Sequence, residues 1–222
     1  QGHQNEEAVA WPINDFAELI DEQATVDIEG RTVHVRAWRY RVTGESGHVV
    51  PVYLLDTDVG ENQPWDRTLT DVLYGGDDHY RLCQEMVLGV GGLRLLRALG
   101  YRDIRRFHMN EGHAALLILA LGEEKLAAQN QPDSISNELI ETIREQCVFT
   151  THTPVPAGHD KFPETLARQV LGDRWWQLLK SSGVGETLNL TQLALRGSRY
   201  VNGVAMKHGE VSHSMFPGYP IH

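Results

Sequence analysis

Ala24-Thr25-Val26-Asp27-Ile28 and Thr32-Val33-His34-Val35-Arg36-Ala37-Trp38 alternate apolar and polar side chains, with Glu29-Gly30-Arg31 between them. A period of two places alternate side chains on one face of a strand. A short glycine-containing break between two such runs predicts a hairpin. Arg39-Tyr40-Arg41-Val42 extends the second run, Gly44-Glu45-Ser46-Gly47 predicts another turn, and Val49 to Leu55 is a third apolar run. The first part of the chain, about residues 20–57, therefore reads as an antiparallel β meander.

The period then changes. Leu82, Met86, Val90, Leu93 and Leu96 have helical spacing, which predicts a helix over Tyr80–Leu99. A strand over Ile104–Met109 and a helix over Glu111–Gly122 follow. Ile135, Leu139 and Ile143 mark a helix capped by Asp133 or Ser134. Cys147–Thr150 reads as a short buried strand. Pro163–Lys180 reads as a helix in two pieces broken near Gly172-Asp173. Leu190–Arg199 reads as a helix, Tyr200-Val201 as a short strand and Met206–Met215 as a last helix. Strand alternating with helix over about residues 78–222 predicts an α/β fold with a parallel sheet. Ligands of such sheets gather beyond the carboxyl ends of the strands.

Three polar, glycine-containing strings fall at those ends: His108-Met109-Asn110-Glu111-Gly112-His113, Thr150 to Asp160, and Asn202 to Glu210. Each is dense in side chains that bind sugars, phosphates or metals. The helix dipole favours a carboxylate at a helix start, so Glu111 alone reads as a helix-start residue and His113 as a first-turn side chain. With His152 and Thr153 ending a second strand, the functional reading is the stronger one.

Other chemistries fit less well. Gly89-Val90-Gly91-Gly92-Leu93 lies inside a helical pattern, not in a strand-to-helix turn, so it lacks the context of a nucleotide loop. Glycines that let a helix approach the sheet closely explain it better. His108, His113, His152 and His159 lack the spacing of zinc ligands on one helical face, and no metal is expected. There is no Gly-x-Ser-x-Gly elbow, and Cys147 reads as a buried small hydrophobe.

Composition narrows the partners. The 222 residues carry 30 acidic and 20 basic side chains, a formal charge of -10, which argues against a nucleic-acid surface. Two cysteines give no disulfide framework and predict a reducing, cytoplasmic setting. The longest apolar run, Ala114 to Leu121, is too short for a membrane span, and the N-terminal residues do not resemble a signal peptide. The length suits one large domain or a piece of something larger, and both ends read as lying inside a longer chain.

Taken together, these strings resemble the α-glucan phosphorylases, the glycogen and maltodextrin phosphorylase family, in its shorter prokaryotic branch. The resemblance runs almost end to end. It includes Val50 to Asp58, Leu73 to Asp78, Arg81 to Glu85, His108 to His113, Phe149 to Asp160, Leu193 to Arg196 and Asn202 to Ser212. It implies a Rossmann-like, three-layer half of a GT-B glycosyltransferase, with residues 1–222 forming part of the N-terminal domain. It also implies a retaining phosphorolysis, in which inorganic phosphate releases the non-reducing-end unit of an α-1,4-glucan or maltooligosaccharide as glucose 1-phosphate. The family uses pyridoxal 5'-phosphate through its phosphate group. By resemblance, His152 is the catalytic histidine at the reacting sugar and Thr153 accompanies it. Glu111 and His113 line the pocket beside that sugar, and Gly75 to Asp78, with Asp77 and Asp78, forms the gating loop.

The departures are as informative. The family's glycine-rich loop toward the cofactor is not found. The cofactor lysine and the phosphate-binding basic residues belong to a C-terminal domain that is absent here. His213 stands where an arginine is expected. The expectation is a part of a phosphorylase, inactive in isolation, with oligomeric state left open. The alternatives are a noncatalytic maltooligosaccharide-binding module and a fragment of a related GT-B glucan synthase.

Overall fold

A computed structural model describes residues 12–73, 75–129, 136–153, 159–181 and 183–222, apart from the side chains at 129, 206–208 and 210. The meander is present. Strands β1 (Glu18–Leu19), β2 (Ala24–Ile28), β3 (Arg31–Thr43) and β4 (Val49–Asp56) form one antiparallel sheet, with β3 pairing all three others. Ile28 pairs with Arg31, so Glu29 and Gly30 make a two-residue turn. Both have positive φ, 53° and 72°, the combination that matches the natural twist of paired strands. Glu29 is held there by Arg31 at 2.5 Å, His79 at 2.7 Å and Gln169 at 2.6 Å.

Alternation decides which face is buried. Val26, Ile28, Val33 and Val35 are fully buried, while Thr25 and Asp27 face solvent. β4 departs from its apolar reading. Val49, Val50, Val52 and Leu54 are exposed, as are Tyr40 and Val42 of β3 beside them. The outer part of the meander is thus a two-stranded apolar ribbon beyond the core.

The predicted helix over Tyr80–Leu99 is three segments in one line: α1 (Asp78–Met86), a π-helical turn (Val87–Gly91) and α2 (Gly92–Ala98). Its glycines explain how it packs. A Cβ on Gly91 would stand 3.0 Å from Val26 Cγ2 of the sheet, whereas a Cβ on Gly89 would stand 2.8 Å from the Leu117 nitrogen. The close approach expected toward a sheet therefore holds at Gly91. At Gly89 the neighbour is the start of another helix, α3 (Leu117–Gln129). This line of helix is wedged between the meander and the α/β part, and one hydrophobic core runs through both.

The parallel sheet has three described strands in the order β5-β6-β9: β5 (Phe107–Asn110), β6 (Cys147–Thr151) and β9 (Tyr200–Gly203). Pairing begins only at Phe107, so the strand expected from Ile104 is shorter. Arg105 and Arg106 are exposed and make no ladder. The helix expected from Glu111 begins as a 3-10 turn, Gly112–Ala114, and becomes α-helical at Leu117. α4 (Asn137–Arg144) is capped by Ser136, whose hydroxyl accepts the Leu139 N–H; Asp133, Ser134 and Ile135 lie outside the described residues. α5 (Glu164–Leu171) and α6 (Asp173–Ser181) break at Gly172, whose φ is 86°. β7 (Lys161–Pro163) and β8 (Thr187–Asn189) form a small antiparallel pair with no sequence forecast. α7 (Leu190–Arg196) ends three residues before the expected Arg199, and α8 (Met206–Met215) is the last described helix. Among the described residues, no helix is long and apolar enough to cross a membrane.

The helix packing gives a paired prediction. Gly89→Ala forces backbone apart and should destabilise the chain by about 1–3 kcal/mol. Gly92→Ala meets only Leu55 Cδ1, at 3.9 Å, and should stabilise it by up to about 1 kcal/mol through helix propensity. Urea unfolding followed by circular dichroism reads both. Equal effects of the two substitutions would refute the close approach at Gly89.

Candidate functional site

The parallel register sets the site. Asn110, Thr150 and Asn202 stand in one row across the carboxyl ends of β5, β6 and β9. Thr150 donates its hydroxyl proton to Asn202 Oδ1 at 2.8 Å, so its oxygen accepts from His108 Nε2 at 2.6 Å. One hydrogen-bonded line thus crosses all three strands, with Thr150 buried at its centre.

Beyond that row the chain turns sharply. Glu111 donates its backbone N–H to the Thr150 carbonyl at 2.9 Å, which extends the β5–β6 pairing by one residue. Its φ of 63° and ψ of 176° fall in a region that side chains other than glycine avoid. Such a conformation costs about 1–3 kcal/mol and persists only where surrounding contacts enforce it. Those contacts are visible. Glu111 Oε1 accepts the His152 backbone N–H and, at 3.0 Å, the Thr153 hydroxyl. The buried carboxylate thereby staples the segment leaving β6 to the end of β5. His152 itself is exposed, and its Nε2 donates to Asn110 Oδ1 at 2.5 Å, which fixes the ring over the strand ends.

Gly112 follows, closely packed on α7. A Cβ there would stand 3.1 Å from both Thr191 N and Thr191 Oγ1 at the start of α7. His113, next in line, meets a second cluster. Its Nδ1 lies 3.2 Å from Asp160 Oδ2 and 3.4 Å from Glu85 Oε1 of α1. Arg81, one helical turn before Glu85, bonds Asp160 Oδ1 at 2.5 Å. Bonds from Asp160 and Glu85 outweigh burial and raise the His113 imidazole to about 9. Arg81, Glu85 and His113 line a cleft of about 470 Å³ whose other walls are largely apolar, from Leu54, Leu55, Leu69 and Val72 among others.

The residues singled out in the sequence thus fall into separate places. Glu111, His152 and Thr153 are joined directly by hydrogen bonds. His113 lies two residues from Glu111 but faces the other cluster. Asp77 caps α1, its carboxylate accepting the Tyr80 N–H at 2.9 Å, and Asp78 is exposed in the first helical turn. Neither carboxylate is bonded to the strand-end residues. Gly76 before them has a φ of 72°, and a Cβ there would stand 2.6 Å from Tyr80 Cβ. His159 is buried, bonds Thr191 Oγ1 at 2.9 Å and packs edge-on against Phe216, which anchors the segment carrying Asp160.

The four histidines weighed as metal ligands each have a different polar neighbour, and they do not converge. Among the described residues, the one group of three metal-type donors is Glu85, His113 and Asp160. Arg81 already gives Asp160 a permanent counter-charge, so this group does not need an ion for balance. Both cysteines are free, and burial pushes each thiol up to about 12, which leaves them poor nucleophiles. Sequence reasoning gave no role to Asn110, Thr150, Asn202 or Glu85. The signal for Glu85 was present: an acid between Leu82 and Met86 on the apolar stripe of a helix.

No protein-family model matches the chain. It is 40% identical over 196 residues to the maltodextrin phosphorylase of Thermococcus litoralis, covering 86% of this chain and 22% of that protein. It is 36% identical over 189 residues to the glycogen phosphorylase of Mycobacterium tuberculosis, covering 75% of this chain and 21% of that protein. The glycogen phosphorylase of Aquifex aeolicus is 34% identical over 176 residues, with 74% of this chain and 25% of the relative covered. The chain therefore spans about a quarter or less of the length of these relatives.

The strained backbone at Glu111 gives a test by reversal of the usual order. Both Glu111→Ala and Glu111→Gly lose the carboxylate, but only glycine relieves the positive φ. Glu111→Gly should be more stable than Glu111→Ala by about 1–3 kcal/mol. Thermal and urea unfolding of the two variants measure this. A less stable glycine variant would show that residue 111 is not strained.

Proposed function

Because this chain is homologous to a segment of the maltodextrin and glycogen phosphorylases, we propose that its strand-end residues form the sugar-facing wall of an α-1,4-glucan phosphorylase. In that reading the chain is part of the N-terminal half of a GT-B enzyme. The whole enzyme uses inorganic phosphate to release the terminal glucosyl unit as glucose 1-phosphate. The observation that carries this reading is the junction of Glu111, His152 and Thr153 at the carboxyl ends of two parallel strands.

The physical case rests on fixed donors and acceptors. A sugar offers hydroxyls, and it is oriented by polar groups whose own positions are already settled. His152 is braced by Asn110 through its ring and by Glu111 through its backbone. Such a ring can meet a sugar hydroxyl without first being ordered. His152 is assigned the contact at the reacting sugar. Thr153, Glu111 and His113 are assigned the surrounding pocket, and Asp77 and Asp78 the gating loop. The cap at Asp77 gives that loop a firm hinge at its α1 end.

Pyridoxal phosphate is the cofactor the family implies, and the residues described here do not fit it. Lys125 lies in α3, Lys161 is exposed on β7 and Lys180 is exposed near the end of α6, so none is buried at the strand ends. We therefore assign its site to sequence outside this chain. The apolar ribbon of β3 and β4 supports the same division, since exposed apolar surface of this kind suits further packing.

Two measurements test the reading. In a full-length polypeptide carrying this segment, maltooligosaccharide plus inorganic phosphate should yield glucose 1-phosphate. His152→Ala should lower kcat by about 100-fold or more, the scale for losing one well-placed polar group. The 222-residue chain alone should release none and should retain no cofactor absorbance after dialysis. Full-length protein that makes no glucose 1-phosphate, or makes it equally well with His152→Ala, would sink the proposal. Calorimetric binding of maltoheptaose by a full-length protein without turnover would favour a sugar-binding module instead.

A further inference from the structure

Glu85 is 4% exposed, and its carboxyl group meets His113 and Asp160. Its Oε1 lies 3.4 Å from His113 Nδ1, and its Oε2 is buried with no hydrogen-bond partner. An apolar side chain would suit this helical position better, because a buried carboxyl with an unbonded oxygen is costly. The site it faces is not a packing site. Segments far apart in the chain, α1, the turn at Gly112–Ala114 and the stretch before β7, converge there on one ring nitrogen.

We infer that Glu85 is a positioning residue for His113: together with Asp160 it brackets Nδ1–H from two sides and holds the ring in one orientation at the floor of the cleft. This deepens the reading of His113 as a sugar-pocket residue and rests on it. A ring flip would replace Nδ1–H by a carbon against two carboxyl groups, so the bracket fixes both the plane and the tautomer. Arg81 completes the device by tying down Asp160 Oδ1 and leaving Oδ2 for the histidine.

The charges agree with the geometry. Facing His113 are Arg81 and Glu85 from α1 and Asp160 from the segment before β7. The turn that carries His113 adds no other ionisable group. α7, packed on that turn, presents Thr191, and Glu111 is turned toward His152 and Thr153. Burial raises Glu85 to about 8, partly offset by its bond from His113. Burial would also raise Asp160, but bonds from His113, Glu85 and Arg81 prevail and bring it down to about 2. Asp160 thus carries the charge, while Glu85 keeps a proton near neutrality and holds the second side of the bracket.

NMR of the His113 ring nitrogens in the 222-residue chain tests this without glucan or turnover. The wild-type ring should stay protonated until about pH 9 and then keep its remaining proton on Nδ1. Glu85 is ionised by the time His113 titrates at about 9, so Glu85→Gln should lower that midpoint by about one pH unit, the scale for losing a neighbouring opposite charge. The Nδ1 tautomer should survive, because the amide oxygen still accepts. Should Glu85→Gln fail to fold, Glu85→Leu, which suits the apolar stripe of α1, gives the same reading of the His113 midpoint. A wild-type midpoint near 6.5, the ordinary value, would overturn the inference, as would a folded Glu85→Gln chain with an unchanged midpoint. The sugar-wall proposal can fail independently, by absence of glucose 1-phosphate, while this titration still succeeds.

Discussion

The carboxylate of Glu111 is the constraint on which the strand-end site depends. It accepts from the His152 N–H and the Thr153 hydroxyl, on a backbone turned into a conformation that only glycine adopts freely. Without that staple, the segment leaving β6 is tied to β5 only through the exposed His152 ring on Asn110. His152 would then lose its place relative to Asn110. The parallel register supplies the rest, because it aligns Asn110, Thr150 and Asn202 in one row behind the turn. Local strain, strand pairing and side-chain hydrogen bonds therefore act on the same few residues. Strain concentrated at one such point, where every neighbour is polar and ordered, is the pattern expected of a functional site.

The two clusters differ in chemistry. The strand-end line is made of amides, hydroxyls and histidines, groups that suit recognition of sugar hydroxyls. The Glu85–His113–Asp160–Arg81 group is charged and half-sunk beneath a largely apolar cleft. They are joined through the short stretch from Glu111 to His113, with Gly112 allowing close contact with α7 between them. Movement of that stretch would disturb both, so its rigidity matters more than the strength of any one bond in it. The buried π turn beside it, packed on α3 through Gly89, provides a firm back wall.

Much of the fold was legible where side-chain periodicity is complete. Val26, Ile28, Val33 and Val35 alternate with polar neighbours, and they are the buried face of the hairpin. The break between α5 and α6 at Gly172 was visible as a glycine inside a helical pattern. Other parts carried too little signal. β7 and β8 have three residues each and pair across a long separation, so no period can develop. β4 is apolar on paper but exposed in the fold, because its outer half extends past the core. The candidate site was half legible: the strings contained Glu111, His152 and Thr153, and also Asn110 and Asn202, but only three-dimensional pairing revealed that Asn110 braces His152 and that Asn202 holds Thr150. Asp77 was marked as a loop residue by resemblance, and its carboxylate caps α1 at the end of that loop.

The central claim is that the junction of Glu111, His152 and Thr153, at the ends of β5 and β6, faces sugar. A crystal structure of a full-length polypeptide carrying this segment, with maltooligosaccharide bound, tests it most directly. The account predicts a glucosyl unit within hydrogen-bonding distance of His152, with Glu111 still bonded to the backbone of residue 152. An oligosaccharide bound elsewhere, with His152 and Thr153 open to solvent, would contradict it.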